Sequence, residues 1–60
     1  MIIYEITQFK AYDAARAGDN KEAARLYALA AEQFPKTMGA RRTKEFKRLE
    51  KFAATYAQAI

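Results

Sequence analysis

Two short turn signals constrain the fold of this chain more than any other feature. Gly18-Asp19-Asn20 indicates a tight turn, and Pro35 disfavours helical backbone in the residue before it. The stretches on either side are rich in helix-forming residues, so we predict helices over about residues 3–17, 20–34 and 38–59. A chain of 60 residues has room for one domain. We therefore expect an all-α, three-helix domain spanning residues 1–60, with an antiparallel hairpin and a third amphipathic helix packed across it.

Several residue types that commonly take part in catalysis or metal binding are absent from this sequence. It has no cysteine, histidine or serine, so it offers neither a disulfide nor the usual ligands of a structural zinc ion. A nucleophile with its base would have to come from lysine, tyrosine, threonine and scattered carboxylates. No Gly-rich phosphate loop is present. We expect a protein that is not an enzyme and that needs no cofactor or metal.

The sequence shows no sign of export or membrane insertion. Its first residues lack the basic start and long apolar stretch of a signal peptide. No run approaches the roughly 18 apolar residues that read as a membrane span. The expectation is a cytoplasmic protein with no membrane partner.

The second predicted helix has the clearest pattern. Asp19 or Asn20 can cap its first turn by accepting free backbone N–H groups, and Glu22 suits the positive end of the helix dipole. Its apolar positions recur at helical spacing and form one face. That face comprises Ala23, Tyr27, Ala30, Ala31 and Phe34. Leu29 falls off this face.

The third predicted helix carries an a/d heptad pattern, which favours packing along one seam. Thr37 is a plausible cap, and Gly39 weakens the first turn, which leaves a start near Arg41 open. The heptad positions are Phe46, Leu49, Ala53, Tyr56 and Ile60.

The first predicted helix is apolar on two sides. Ile2, Ile6 and Phe9 lie on one side. Ala11 and Ala15, with Tyr4, lie on roughly the other. Such a helix is either sandwiched or has one side left for a partner. An extended start over residues 1–4 is the alternative, because β-branched residues suit strands.

The predicted core combines one face from each helix. Its members are Ile6, Ala11, Ala23, Leu26, Tyr27, Ala30, Phe34, Phe46, Leu49, Ala53 and Tyr56.

The positive charge is concentrated in one segment. The net charge is +4, but residues 36–51 carry seven cations and two acids, a balance of +5 that leaves −1 for the rest. Cationic residues of the third helix share one face, with Phe52 at its border. They are Arg41, Lys44, Arg48 and Lys51. The face is either a solvated surface or a site for an acidic protein or nucleic acid. Arg42 points toward the apolar side, either to snorkel or to pair with an acid such as Asp13 or a partner's carboxylate.

Residues 18–35 follow an order that resembles the second half of a tetratricopeptide repeat: a Gly-Asp turn, a small residue, an aromatic, an alanine and a closing proline. These residues are Gly18, Asp19, Ala23, Leu26, Tyr27, Ala30 and Pro35. In that family, small residues let two helices approach closely. The resemblance covers about residues 4–35. The first helix keeps Ala11, but it has Thr7, Lys10 and Ala14 where the family usually has tryptophan, leucine and tyrosine.

The resemblance implies a helical groove that receives a peptide or helix. The positions matching the family's groove-facing residues are Glu5, Gln8, Phe9, Tyr12, Ala15 and Arg16. Alternatively, Phe9 and Tyr12 pack on the third helix. The three-helix chain is also similar to a microtubule-interacting-and-transport domain, to whose third helix residues 51–59 are loosely similar. That family implies the same function.

Three functions are compatible with these patterns. The first is a protein-interaction module that binds and regulates a larger protein, with an exposed apolar patch drawn from Ile2, Ile6, Phe9, Tyr12 and Leu29. The second is a self-assembling homodimer, whose stability depends on concentration. The third is a basic nucleic-acid-binding protein that uses the third helix and whose affinity falls steeply with salt, although no recognised nucleic-acid motif is present.

Overall fold

A computed structural model describes residues 2–59 of the chain, and over that range it is all-α with three α-helices, as expected. The elements are α1 (Ile3–Arg16), α2 (Asn20–Gln33), a 3₁₀ helix (Ala40–Arg42) and α3 (Lys44–Gln58). Of the extended start predicted as an alternative for residues 1–4, Met1 lies outside the described residues, Ile2 has extended backbone, and Ile3 and Tyr4 belong to α1.

The second helix, α2, holds the other two helices together. Both α1 and α3 pack against α2, whereas α1 and α3 share few direct contacts. The third helix therefore contacts the hairpin mainly through α2, and a space remains between α1 and α3.

The turn between α1 and α2 shows why the sequence needs Gly18. This residue has φ 82°, in the left-handed region that glycine adopts without steric cost. The Asp19 N–H donates to the Ala14 carbonyl at 2.9 Å and the Gly18 N–H to the Ala15 carbonyl at 3.0 Å, which closes the end of α1 as a Schellman motif. The Asp19 side chain then accepts from the Glu22 N–H at 3.2 Å and caps α2.

The third helix begins at Lys44, not near residue 38, so that part of the prediction is wrong. Thr43 has extended backbone, and its hydroxyl accepts from the Phe46 N–H at 3.3 Å as the cap of α3. Thr37, the expected cap, accepts instead from the Ala40 N–H at 3.3 Å and so supports the short 3₁₀ helix. Two threonine caps therefore divide the predicted third helix into two pieces.

The core is formed mainly by aromatic and alanine side chains. Its buried hydrophobic members are Tyr4, Ala11, Ala23, Leu26, Tyr27, Ala30, Ala31, Phe34, Phe46 and Leu49. Ala53 and Tyr56 are partly buried against this cluster. The prediction of Ile6 as a core residue is wrong, because its side chain is 42% exposed on the outer side of α1. Of the heptad positions, Ile60 lies outside the described residues.

Close packing of α1 on α2 includes one polar contact that the sequence did not reveal. Thr7 is buried, and its hydroxyl lies 2.6 Å from Gln33 Oε1 on α2, to which it donates. A buried hydroxyl with a partner avoids the desolvation penalty of an unpaired one. This bond joins the two helices of the hairpin beside Ala11 and Ala30, which are fully buried.

Within residues 2–59, no helix has the length and apolar content needed to cross a bilayer.

Candidate peptide-binding groove

A groove of about 470 Å³ lies between α1 and α3. It exists because both helices pack on α2 and touch each other little. Its lining comes from all three helices and comprises Gln8, Phe9, Tyr12, Tyr27, Arg48, Phe52 and Tyr56. Five of these seven side chains are aromatic, so the groove suits an apolar group that can pack against rings.

One hydrogen bond joins α1 and α3 near their N-terminal ends. The Tyr4 hydroxyl donates to Glu45 Oε1 at 2.9 Å. This hydrogen bond to a carboxylate, together with burial, raises the pKa of Tyr4 above its ordinary value. The lining residues all follow Tyr4 on α1 and Glu45 on α3, so the groove runs from this contact toward the C-terminal ends of both helices.

Tyr27 forms the floor of the groove and is also part of the core. It is only 3% exposed. Its ring stacks on Tyr56 with centroids 5.6 Å apart and an interplanar angle of 8°, and it meets Phe52 at 5.1 Å. Burial raises the pKa of Tyr27 above the ordinary tyrosine value. The groove therefore has a rigid aromatic base that is supported from below by the fold.

The α1 wall is the most exposed part of the groove. Phe9 is 61% exposed and Tyr12 is 54% exposed, so neither packs into the core. Gln8 is half-buried between them and the floor. Arg16 lies with its guanidinium carbon 5.7 Å from the centre of the Tyr12 ring. These rings project toward solvent at the mouth of the groove.

The six α1 residues suggested by the repeat resemblance divide into two sets. Gln8, Phe9 and Tyr12 line the groove. Glu5 is half-buried, Ala15 packs partly against the core and Arg16 reaches the groove only through Tyr12, so these three do not line it.

A second hollow of about 350 Å³ adjoins the groove on α3. It is lined by Lys44, Lys47, Arg48, Lys51 and Phe52. Arg48 and Phe52 border both spaces, so the aromatic groove passes into a basic surface along one helix. Here the structure brings together Lys44, Arg48, Lys51 and Phe52 as the sequence suggested, and it adds Lys47.

Arg41 lies apart from this basic surface, which corrects the predicted face. It belongs to the 3₁₀ helix, and its Nη2 donates to the Phe34 carbonyl at 3.3 Å and lies 3.5 Å from the Glu32 carbonyl. Its guanidinium also lies 4.6 Å from the centre of the Phe46 ring. Arg41 therefore holds the C-terminal end of α2. Arg42 is exposed in the 3₁₀ helix and does not belong to α3, so it does not lie on the apolar side of that helix.

Two groove residues, Tyr27 and Tyr56, were assigned by sequence to the core alone. A signal for the site was present on α3, where Arg48, Phe52 and Tyr56 recur at i, i+4 and i+8 and so form one row. The sequence held no such signal for Tyr27. Helical spacing predicts that this side chain is buried, but it does not distinguish a residue at the base of a groove from any other core residue.

The outer side of α1 carries a second exposed apolar strip next to the groove. It consists of Ile2, Ile3, Ile6 and Phe9, which are 53%, 65%, 42% and 61% exposed. Leu29 of α2 is half-buried and does not extend this strip. Phe9 belongs to both the strip and the groove.

Within residues 2–59, no three His, Cys, Asp or Glu side chains come together in a way that would hold a metal ion. Comparisons of the chain with protein-family models, with curated proteins and with solved structures find no match.

Proposed function

We propose that this chain is a small, non-catalytic interaction module that binds a peptide or helix of a larger protein in the groove between α1 and α3 and so regulates that protein. The observation that carries the proposal is the aromatic groove itself, in which the exposed Phe9 and Tyr12 stand over the buried Tyr27. The arrangement agrees with the tetratricopeptide-like pattern of the sequence, whose groove-facing positions include Gln8, Phe9 and Tyr12.

Energetics favour binding at these positions. Burying a large apolar side chain that was exposed contributes about 1.5–3 kcal/mol. Aromatic residues in well-packed pockets are also the usual anchors of protein interfaces. Because the floor is held by the core, a ligand that covers Phe9 and Tyr12 gains this contribution without ordering the groove first.

Selection from a displayed library of helical peptides tests the proposal. We expect immobilised wild-type protein to enrich sequences with apolar residues at helical spacing, and the variant Tyr12→Ala to lose them. Met38→Ala is the matched control, because Met38 is a 73% exposed hydrophobic residue outside the groove. A selection that enriches nothing, or that enriches the same peptides on Tyr12→Ala, would contradict the proposal.

A further inference from the structure

The aromatic groove and the basic hollow adjoin along α3, and their shared border suggests which kind of peptide binds. We propose that the occupant is an acidic amphipathic helix of a partner protein, with its apolar side in the aromatic groove and its carboxylates over the lysines of α3. This inference rests on the proposed function and specifies the chemistry of the same site.

The order of side chains around α3 favours a ligand that has an apolar side and, next to it, an acidic edge. Phe52 and Tyr56 face the groove, Arg48 stands at its rim, and the lysines continue around the helix away from α1. These are Lys44, Lys47 and Lys51. A helix lying in the groove would place one of its edges against this row, about one helix diameter from its apolar contacts.

The basic row is not neutralised by the chain itself. Lys44, Lys47, Arg48 and Lys51 are all exposed. Among residues 2–59, the only ion pair joins Arg25 to Glu22 on α2, at 2.6 Å. Of the two acids on α3, Glu45 accepts the Tyr4 hydrogen bond, and Glu50 forms no ion pair with the row. The row therefore keeps its positive potential for an incoming anion, which favours acidic partners and speeds their association.

A peptide fits these observations better than a nucleic acid does. The residues of α1 that line the opposite wall, Gln8, Phe9 and Tyr12, are uncharged, and Arg16 lies only behind Tyr12. The cations that line the groove and the hollow all belong to α3. The rings of Tyr27, Phe52 and Tyr56 also pack on one another, so only Phe9 and Tyr12 on the uncharged wall offer exposed rings for stacked bases. A helix with one acidic edge matches this one-sided charge, whereas a single strand of nucleic acid carries phosphates along its whole length.

Two labelled peptides with the same leucine pattern form the probe. In the first, glutamates flank the leucine face on one edge; in the second, glutamines replace them. At low salt, we expect fluorescence anisotropy to show that the acidic peptide binds about tenfold more tightly than the glutamine peptide. This difference in affinity should decrease as added salt screens the exposed charges. The double variant K47E/K51E should remove the preference and leave the glutamine peptide unaffected.

Controls separate charge from folding. Lys21→Glu makes a charge reversal at an exposed lysine of α2 that does not line either hollow, and it should keep at least half of the preference. Circular dichroism checks that each variant is helical. If K47E/K51E does not fold, Lys51→Gln alone should still reduce the preference about twofold to threefold, since it removes one of the four cations.

The outcomes distinguish this inference from the proposed function. Equal affinities for the two peptides, unchanged in the lysine variants, would overturn the acidic-helix inference and leave the groove function standing. Failure of both peptides to bind would overturn both. A single-stranded RNA oligonucleotide that displaces the acidic peptide and binds more tightly would also overturn both and would assign the basic row to nucleic acid.

Discussion

Tyr4 joins the first helix to the third through one hydrogen bond between residues 41 positions apart, from its hydroxyl to Glu45 Oε1 at 2.9 Å. Its ring also packs on Phe34, with centroids 4.6 Å apart. The sequence placed Tyr4 on the apolar side of α1 with Ala11 and Ala15, but it held no sign of the partner, because the pairing depends on how α3 lies against α2.

We expect Tyr4→Phe to lower the free energy of unfolding at neutral pH by about 1 kcal/mol, the net contribution of one hydrogen bond. The pKa of Tyr4 is raised in the folded state, so its contribution is complete below the unfolded tyrosine pKa of about 10 and is lost as pH rises above it. The difference between wild type and Tyr4→Phe should therefore shrink in alkaline solution. Denaturant unfolding across this range measures it, with the exposed Tyr12→Phe as the control. A constant difference at all pH values would contradict the hydrogen bond.

Ile6 and Leu49 provide a direct check on which apolar residues form the core. Leu49 is fully buried, whereas Ile6 is 42% exposed. We expect Leu49→Ala to destabilise the protein by about 2–5 kcal/mol, because it leaves a cavity, and Ile6→Ala by less than about 1 kcal/mol. Urea unfolding of the two variants gives the comparison. Similar losses would mean that Ile6 is buried as the sequence had indicated.

At the scale of elements, α2 determines the arrangement because both other helices pack on it. Its start and its apolar face could be predicted from Asp19 and from residues at helical spacing. Its end depends on Arg41, which belongs to the next element and which sequence had assigned to a basic face. The start of α3 was also missed, because a heptad pattern does not show that Thr43 takes extended backbone and begins the helix anew. The groove could be predicted only in part. The sequence indicated residues of α1 that line it, but the groove also depends on the distance between α1 and α3, which is set by how both helices pack on α2.

We expect Arg41 to stabilise the fold and Arg42 to contribute little to stability. The Arg41 guanidinium contacts the carbonyls at the end of α2, where the helix dipole favours a cation, and it lies over Phe46. We expect Arg41→Ala to cost about 1–2 kcal/mol and Arg41→Lys to recover part of it. The exposed Arg42→Ala should stay within about 0.5 kcal/mol of wild type. Thermal unfolding followed by circular dichroism measures all three, and equal effects at Arg41 and Arg42 would show that the contact carries no stability.

At the scale of the whole molecule, a chain of 60 residues can bury only a small core, and such chains are marginally stable. The exposed strip of Ile2, Ile3, Ile6 and Phe9 is the surface that a homodimer would bury. The described core nevertheless closes within one chain, since every buried hydrophobic residue belongs to one cluster.

We expect the midpoint of thermal unfolding to be independent of protein concentration, as for a monomer. Sedimentation equilibrium over the same concentrations provides an independent measurement. A midpoint that rises with concentration in wild type but not in Ile6→Lys would instead assign the α1 strip to a second copy of the chain. Ile6→Lys is suited to this use because the exposed position tolerates a lysine without burying its charge.

The aromatic residues of the groove also allow ligand binding to be followed by intrinsic tyrosine fluorescence. The chain has no tryptophan, so its near-ultraviolet emission comes from four tyrosines. Three of these, Tyr12, Tyr27 and Tyr56, line the groove. A tryptophan-free ligand that occupies the groove would change the surroundings of most of the emitting rings at once. Unlabelled peptides can therefore be titrated against the natural chain by its own emission.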